Sequence, residues 1–333
     1  MPLLLLLGDI FLRFAPPLTS TSAIVIFVPT QRWLKVEVHL HLSSLKIKGI
    51  LKLFMSRGVK VKGSKSTKSC SRSATSENPR WYSNRGGMQN GKNAKGLHIA
   101  VLPDGFGSSS LEDMKEVCVS AAETIWSHLP GDDSLAPICV RRSEHGPMVL
   151  FQRGEGNEHI VKLDTADECW AQLAYQFAHE FCHILCNYRE DPNPQCWFEE
   201  TLCHIASLYA LRRMAQIWQT KAPYPNWISY AFNLKKYADN HMKKYDNHQE
   251  TIVEWYLKHQ TKIEQIDHHS ISYIVLKLLP LFEQDPSAWQ VVRYINLGPK
   301  EENESLEKYF SGWHDRVPSP QQSFLPNAPM LQA

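Results

Sequence analysis

The sequence predicts an α+β protein: a module of short strands and helices over residues 96–220, followed by a helical part over 221–316. Three observations carry this. Apolar runs of about five residues recur between turn-forming clusters as far as residue 163, as short strands require. Two longer stretches, 111–129 and 168 onward, place apolar side chains at three- and four-residue spacing instead, which is the helical period. The chain is also large enough, at 333 residues with 43% hydrophobic side chains, to bury a sizeable core.

Charge divides the chain. Residues 1–95 carry 16 Lys and Arg against three acids (Asp9, Glu37 and Glu77), whereas the remainder is net acidic although the whole chain is only +2. Within 1–95, Met1–Ile10 and Ala23–Val28 are apolar runs too short to cross a membrane. No basic residue precedes the first run, so it makes a poor signal peptide. Residues 56–76 are basic, Ser-rich and free of acids, the composition of a disordered leader, tail or linker. The expected location is therefore intracellular and cytoplasmic. An organellar leader is consistent with the same composition, and secretion is left open. Nucleic acid is not expected as a partner, because no aromatic residues interleave the basic stretch.

From Gly96 the elements follow in order. Leu97–Leu102 reads as a strand closed by the turn-prone PDGFGSSS, and an amphipathic helix starts after Ser110. Pro137–Arg141, Met148–Gln152 and His159–Leu163 read as three further strands. Asp164–Asp167 is a helix-start signal for the long stretch Glu168–Tyr188. Pro192 and Pro194 stop that helix, and a second runs from Trp197 to about Trp218. Residues 224–310 are helical in character, and 317–333 form a Pro-rich tail. The eight cysteines include no Cys-x-x-Cys pair and no regular framework, so they read as free thiols, mostly buried.

The chemistry concentrates at His179-Glu180-Phe181-Cys182-His183. On a helix, positions i and i+4 share a face, so both imidazoles can reach one metal ion. Neutral imidazole suits zinc, and a hydrolytic zinc site keeps one position for water. Glu180 stands one residue round the helix, beside the metal, where it can act as general base. The segment AQLAYQFAHEFCHIL is otherwise apolar, and an unpaired Glu there would be costly. A third ligand is expected from the next helix, where Glu200 is the first choice and Glu199 its competitor. Glu200, Cys203, His204 and Ser207 form one stripe on that helix, which would face His179 and His183.

A helix bearing H-E-x-x-H, followed by W-x-x-E at the head of the next helix, resembles the gluzincin metallopeptidases, the group that includes thermolysin and the zinc aminopeptidases. The resemblance is specific over residues 170–210 and looser over 96–315. It implies a zincin-like catalytic domain, made of a small mixed sheet, an active-site helix and a glutamate helix, which the helical C-terminal part completes. It implies zinc held by His179, His183 and Glu200, with Glu180 as base, and a peptide or protein as substrate. Members of the group often carry an acid four residues after the ligand Glu, bonded to a ligand imidazole. His204 occupies that place here. An oxyanion donor is expected downstream, with His269 as the choice and His268 or Tyr273 as alternatives. An edge strand, MVLFQ or HIVKL, would receive the extended peptide. Gly86-Gly87-Met88-Gln89-Asn90 echoes the aminopeptidase anchor but lies too far upstream and has Gln for Glu, so exopeptidase activity is not implied. The expected function is zinc-dependent hydrolysis of peptide bonds. The alternative is an inactive zinc-binding or regulatory protein of the same fold.

Overall fold

The computed structural model of the chain describes residues 96–325, apart from 104, 132–133, 192 and 244–248, together with the strand pair 24–25 and 35–36. Two units are present, one over Leu5–Glu77 and one over Asn78–Ala333 with Met1–Leu4. In the first, β1 (Ile24–Val25) pairs antiparallel with β2 (Lys35–Val36). The basic stretch 56–76, the Gly86–Asn90 echo and the end of the tail lie outside the described residues.

The second unit holds a four-stranded mixed sheet: β3 (Ile99–Val101), β4 (Ile138–Arg142), β5 (Met148–Val149) and β6 (His159–Leu163). Their order is β3-β4-β6-β5, with β3, β4 and β6 parallel and β5 antiparallel at the edge. The expected strand Met148–Gln152 ends early. Leu150 N still donates to Ile160 O (2.9 Å), but the chain then departs, because the Tyr188 hydroxyl takes the Leu150 carbonyl (2.7 Å). Ile138, Val140, Val161 and Leu163 are buried and give the sheet its apolar face.

Helix α1 (Leu111–Trp126) starts where expected, with the Ser110 side chain accepting from Asp113 N. Its buried face, including Met114, Val117, Ala121 and Ile125, follows the spacing read from sequence. Helix α2 (Trp170–Leu185) begins later than expected, and the Asp164–Asp167 start signal serves another purpose. Asp167 has positive φ (53°), and its carboxylate accepts from both N and Oγ of Ser108 (2.9 and 3.0 Å). It ties the loop after β3 to the entry of α2. Gly107 makes the approach possible: it sits at φ +77°, and a Cβ there would meet Asp167 Oδ1 at 2.2 Å.

Helix α3 (Cys196–Lys221) is apolar on nearly all sides and runs through the core against α2, α4 (Ala231–Met242) and α6 (His268–Gln284). Helix α5 (Ile252–Glu264) opens with a capping box between Thr251 and Glu254, and α7 (Leu306–Arg316) follows near the C-terminus. Residues 96–220 and 221–316 thus lie within one compact unit. No helix among the described residues is long and apolar enough to cross a membrane.

Candidate metal centre

The site forms where α2 and α3 cross behind β5. In α2, Phe177, Phe181 and Ile184 turn into the core, which leaves His179 and His183 on the opposite, partly exposed stripe. Glu200 comes from the first turns of α3. Its Oε2 lies 3.3 Å from His179 Nε2, and its Oε1 lies 3.5 Å from His183 Nε2. Two nitrogens on one tetrahedral zinc stand about 3.3–3.4 Å apart, given bonds of about 2.0–2.1 Å. The two separations between Glu200 and the imidazoles match the spacing of two donors on one such ion.

Two groups of three among the described residues bring one ligand atom each into a single cluster, and both share His179. His179, Glu200 and His204 offer ligand atoms within 4.8 Å of one another, as do His179, His183 and Cys203. Burial pushes the Cys203 thiol well above its ordinary pKa, which makes it a poor ligand beside two imidazoles. The cysteines among the described residues are all free thiols, with Cys182, Cys186 and Cys203 fully buried. Cys182 and Cys186 approach to 4.0 Å as helix neighbours.

Glu199 is engaged on the other side of His183. Its Oε1 lies 2.6 Å from His183 Nδ1, and its Oε2 accepts from Asn296 Nδ2 at 2.6 Å. Burial disfavours the His183 imidazolium, but the Glu199 hydrogen bond and the Glu199, Glu200 and Glu180 charges outweigh it and hold the pKa at about 10. Burial likewise works against the Glu200 carboxylate, yet His179, His183 and His204 hold its pKa well below the ordinary range.

Glu180 is 3% exposed, and its carboxyl lines the same cleft. Burial raises its pKa, against the opposing pull of His179 and His183; the Val149 backbone also hydrogen-bonds it. The general-base candidate thus touches the edge strand. The cleft measures about 650 Å³ and runs from Met148, Val149 and Phe151 across α2 and α3 to His268. Phe151 is 60% exposed and stacks on Tyr188 at 5.9 Å.

His204 stands with its ring centroid 4.8 Å from that of His179. The His204 ring nitrogens are engaged elsewhere than on His179 or His183. Its Nδ1 meets the Tyr175 hydroxyl and its Nε2 meets His268 Nδ1, each at 3.1 Å. The acid hydrogen-bonded to His183 Nδ1 is Glu199, which the sequence offered only as a rival ligand. The stripe Glu200, Cys203, His204 and Ser207 does face α2, and Ser207 Oγ donates to Tyr175 O at 2.9 Å.

The three residues expected as oxyanion donor fall in different places. His269 is not among the residues lining the cleft. Tyr273 is buried and its hydroxyl donates to Glu250 O. His268 lines the cleft. The reason is the start of α6: Asp267 caps it by accepting from Ser270 N (2.8 Å), so the two histidines lie in the first turn and diverge by one helical step. Asn296 has no sequence signal, being 97 residues beyond Glu199. Comparison of the chain with protein-family models, with curated proteins and with solved structures finds no match.

Proposed function

We propose that the chain is a zinc-dependent peptidase of gluzincin type that hydrolyses peptide bonds in extended segments laid along β5. One observation carries the reading: the Glu200 carboxylate spans Nε2 of both His179 and His183 in an open cleft, with the Glu180 carboxyl beside them. His179, His183 and Glu200 would hold the zinc, which when bound supplies a Lewis acid for the scissile carbonyl and for water.

The chain's own groups do the rest. Glu180 takes a proton from the attacking water at a carboxylate oxygen and delivers it to the departing amine nitrogen as the C–N bond breaks. Its buried setting, which favours the protonated form, suits the second half of that task. His268 has Nδ1 engaged by His204, which leaves Nε2 to donate to the oxygen that gains charge. The outer edge of β5 would offer backbone groups to the peptide, the Val149 backbone being shared with Glu180.

A second reading is a zinc-binding or regulatory protein without turnover. The grouping of His179, Glu200 and His204 favours it, because a fourth protein donor would close the position that water needs.

A digest of a broad peptide library with and without chelator, run on the wild type and on Glu180→Gln, tests the proposal. Chelator-sensitive cleavage by the wild type, lost in the variant with zinc content unchanged, is expected. Stoichiometric zinc without chelator-sensitive cleavage would leave the second reading standing.

A further inference from the structure

We infer that Asn296 is a positioning residue of the metal centre: acting through Glu199, it fixes the ring of His183 and determines which of two adjacent carboxylates is left to bind metal. The inference rests on the reading of His179, His183 and Glu200 as ligands.

Glu199 and Glu200 are neighbours at the head of α3, and either carboxylate is chemically competent as a ligand. Glu199 is committed elsewhere. One of its oxygens is held by His183 Nδ1 and the other by Asn296 Nδ2, both at 2.6 Å. A carboxylate with both oxygens so occupied cannot turn toward the ion without breaking a short, buried hydrogen bond. Glu200 is then the carboxylate left free to span the two Nε2 atoms. The Glu199 contact also keeps a proton on His183 Nδ1, so that the Nε2 proton is the one a metal ion would displace.

Asn296 can do this because its segment is held to the loop that follows α2 and to α7. Asn187, just past the end of α2, donates to Arg293 O (2.6 Å), and Arg189 donates to Gly298 O. From α7, Arg316 donates to Tyr294 O (2.9 Å) and Ile295 O (2.7 Å). Four carbonyls around Asn296 are therefore tied down, two of them by the loop that follows the helix bearing His179 and His183. Through this amide the helical C-terminal part reaches His183 by way of Glu199.

Zinc affinity of the full chain, measured by competition with a zinc-binding chromophore, tests this. Asn296→Asp keeps the shape but loses the donor, and Asn296→Ala removes both. Each should weaken zinc binding by about tenfold or more, the usual effect of losing an outer partner. The melting temperature of the metal-free protein should stay close to that of wild type. In a Glu199→Gln background, Asn296→Ala should add little, because the two act along one path. Wild-type affinity in Asn296→Asp, or additive losses in the double variant, would overturn the inference while leaving the ligand set intact. A wild-type chain that binds no zinc would remove the ligand reading as well.

Discussion

His183 Nδ1 lies 2.6 Å from Glu199 Oε1, while the neighbouring carboxylate of Glu200 reaches Nε2 of the same ring at 3.5 Å. One imidazole is thus gripped on both nitrogens by consecutive acids of α3. This arrangement separates two roles that the sequence left joined.

The separation can be measured. Glu200→Ala should lose stoichiometric zinc. Glu199→Ala should keep it with affinity reduced about 10- to 100-fold. Zinc analysis after dialysis, with a competition titration, distinguishes the two. Full zinc retention in Glu200→Ala would refute the assigned ligand set.

Among the downstream candidates, only His268 lines the cleft. His268→Ala should lower kcat by about 10²- to 10³-fold with zinc still bound, as loss of an oxyanion donor does. His269→Ala should turn over at the wild-type rate. Steady-state kinetics on any cleaved peptide give the answer, and equal losses in both variants would count against the assignment.

Behind the metal face, Phe181 is fully buried, stacked on Phe177 at 6.0 Å and edge-on to Trp126 at 6.4 Å. Phe181→Ala should cost about 3–5 kcal/mol of stability through lost burial and the cavity left behind. A urea titration monitored by circular dichroism reads this. A loss below about 1 kcal/mol would mean that α2 is not packed as described.

His159 lies under the edge strand, 2% exposed, with Nδ1 3.3 Å from the Tyr188 hydroxyl. Burial, helped by the Arg153 charge, pushes its pKa down to about 3. An unfolded His titrates near 6.5. The unfolded chain therefore binds the extra proton first, and stability falls as pH drops from about 6.5 toward 3. His159→Gln should show a shallower loss of stability between pH 7 and pH 5 than the wild type. Parallel slopes in the two proteins would contradict it.

Much of the molecule was legible in advance. The strand His159–Leu163, the helix after Ser110 and the pair of helices around residues 170–220 follow from apolar periodicity, because burial of one face dictates that pattern. His179, Glu180 and His183 were legible for a related reason: the i, i+4 rule holds on any helix, whatever surrounds it. The short length of β5 was not legible, since Tyr188 ends it from across the cleft. The Asp164–Asp167 signal misled because Asp167 capped a distant loop rather than the helix beside it.

The sequence by itself determined an α+β chain with two facing helices and a pair of imidazoles poised to share an ion. Those features are local and depend on spacings of three to five residues. Only the tertiary structure decided that Glu199 orients while Glu200 faces the imidazoles, that His268 rather than His269 reaches the cleft, and that Asn296 joins the centre at all. These choices turn on rotations of one residue about a helix and on contacts about a hundred residues apart, and only packing fixes either.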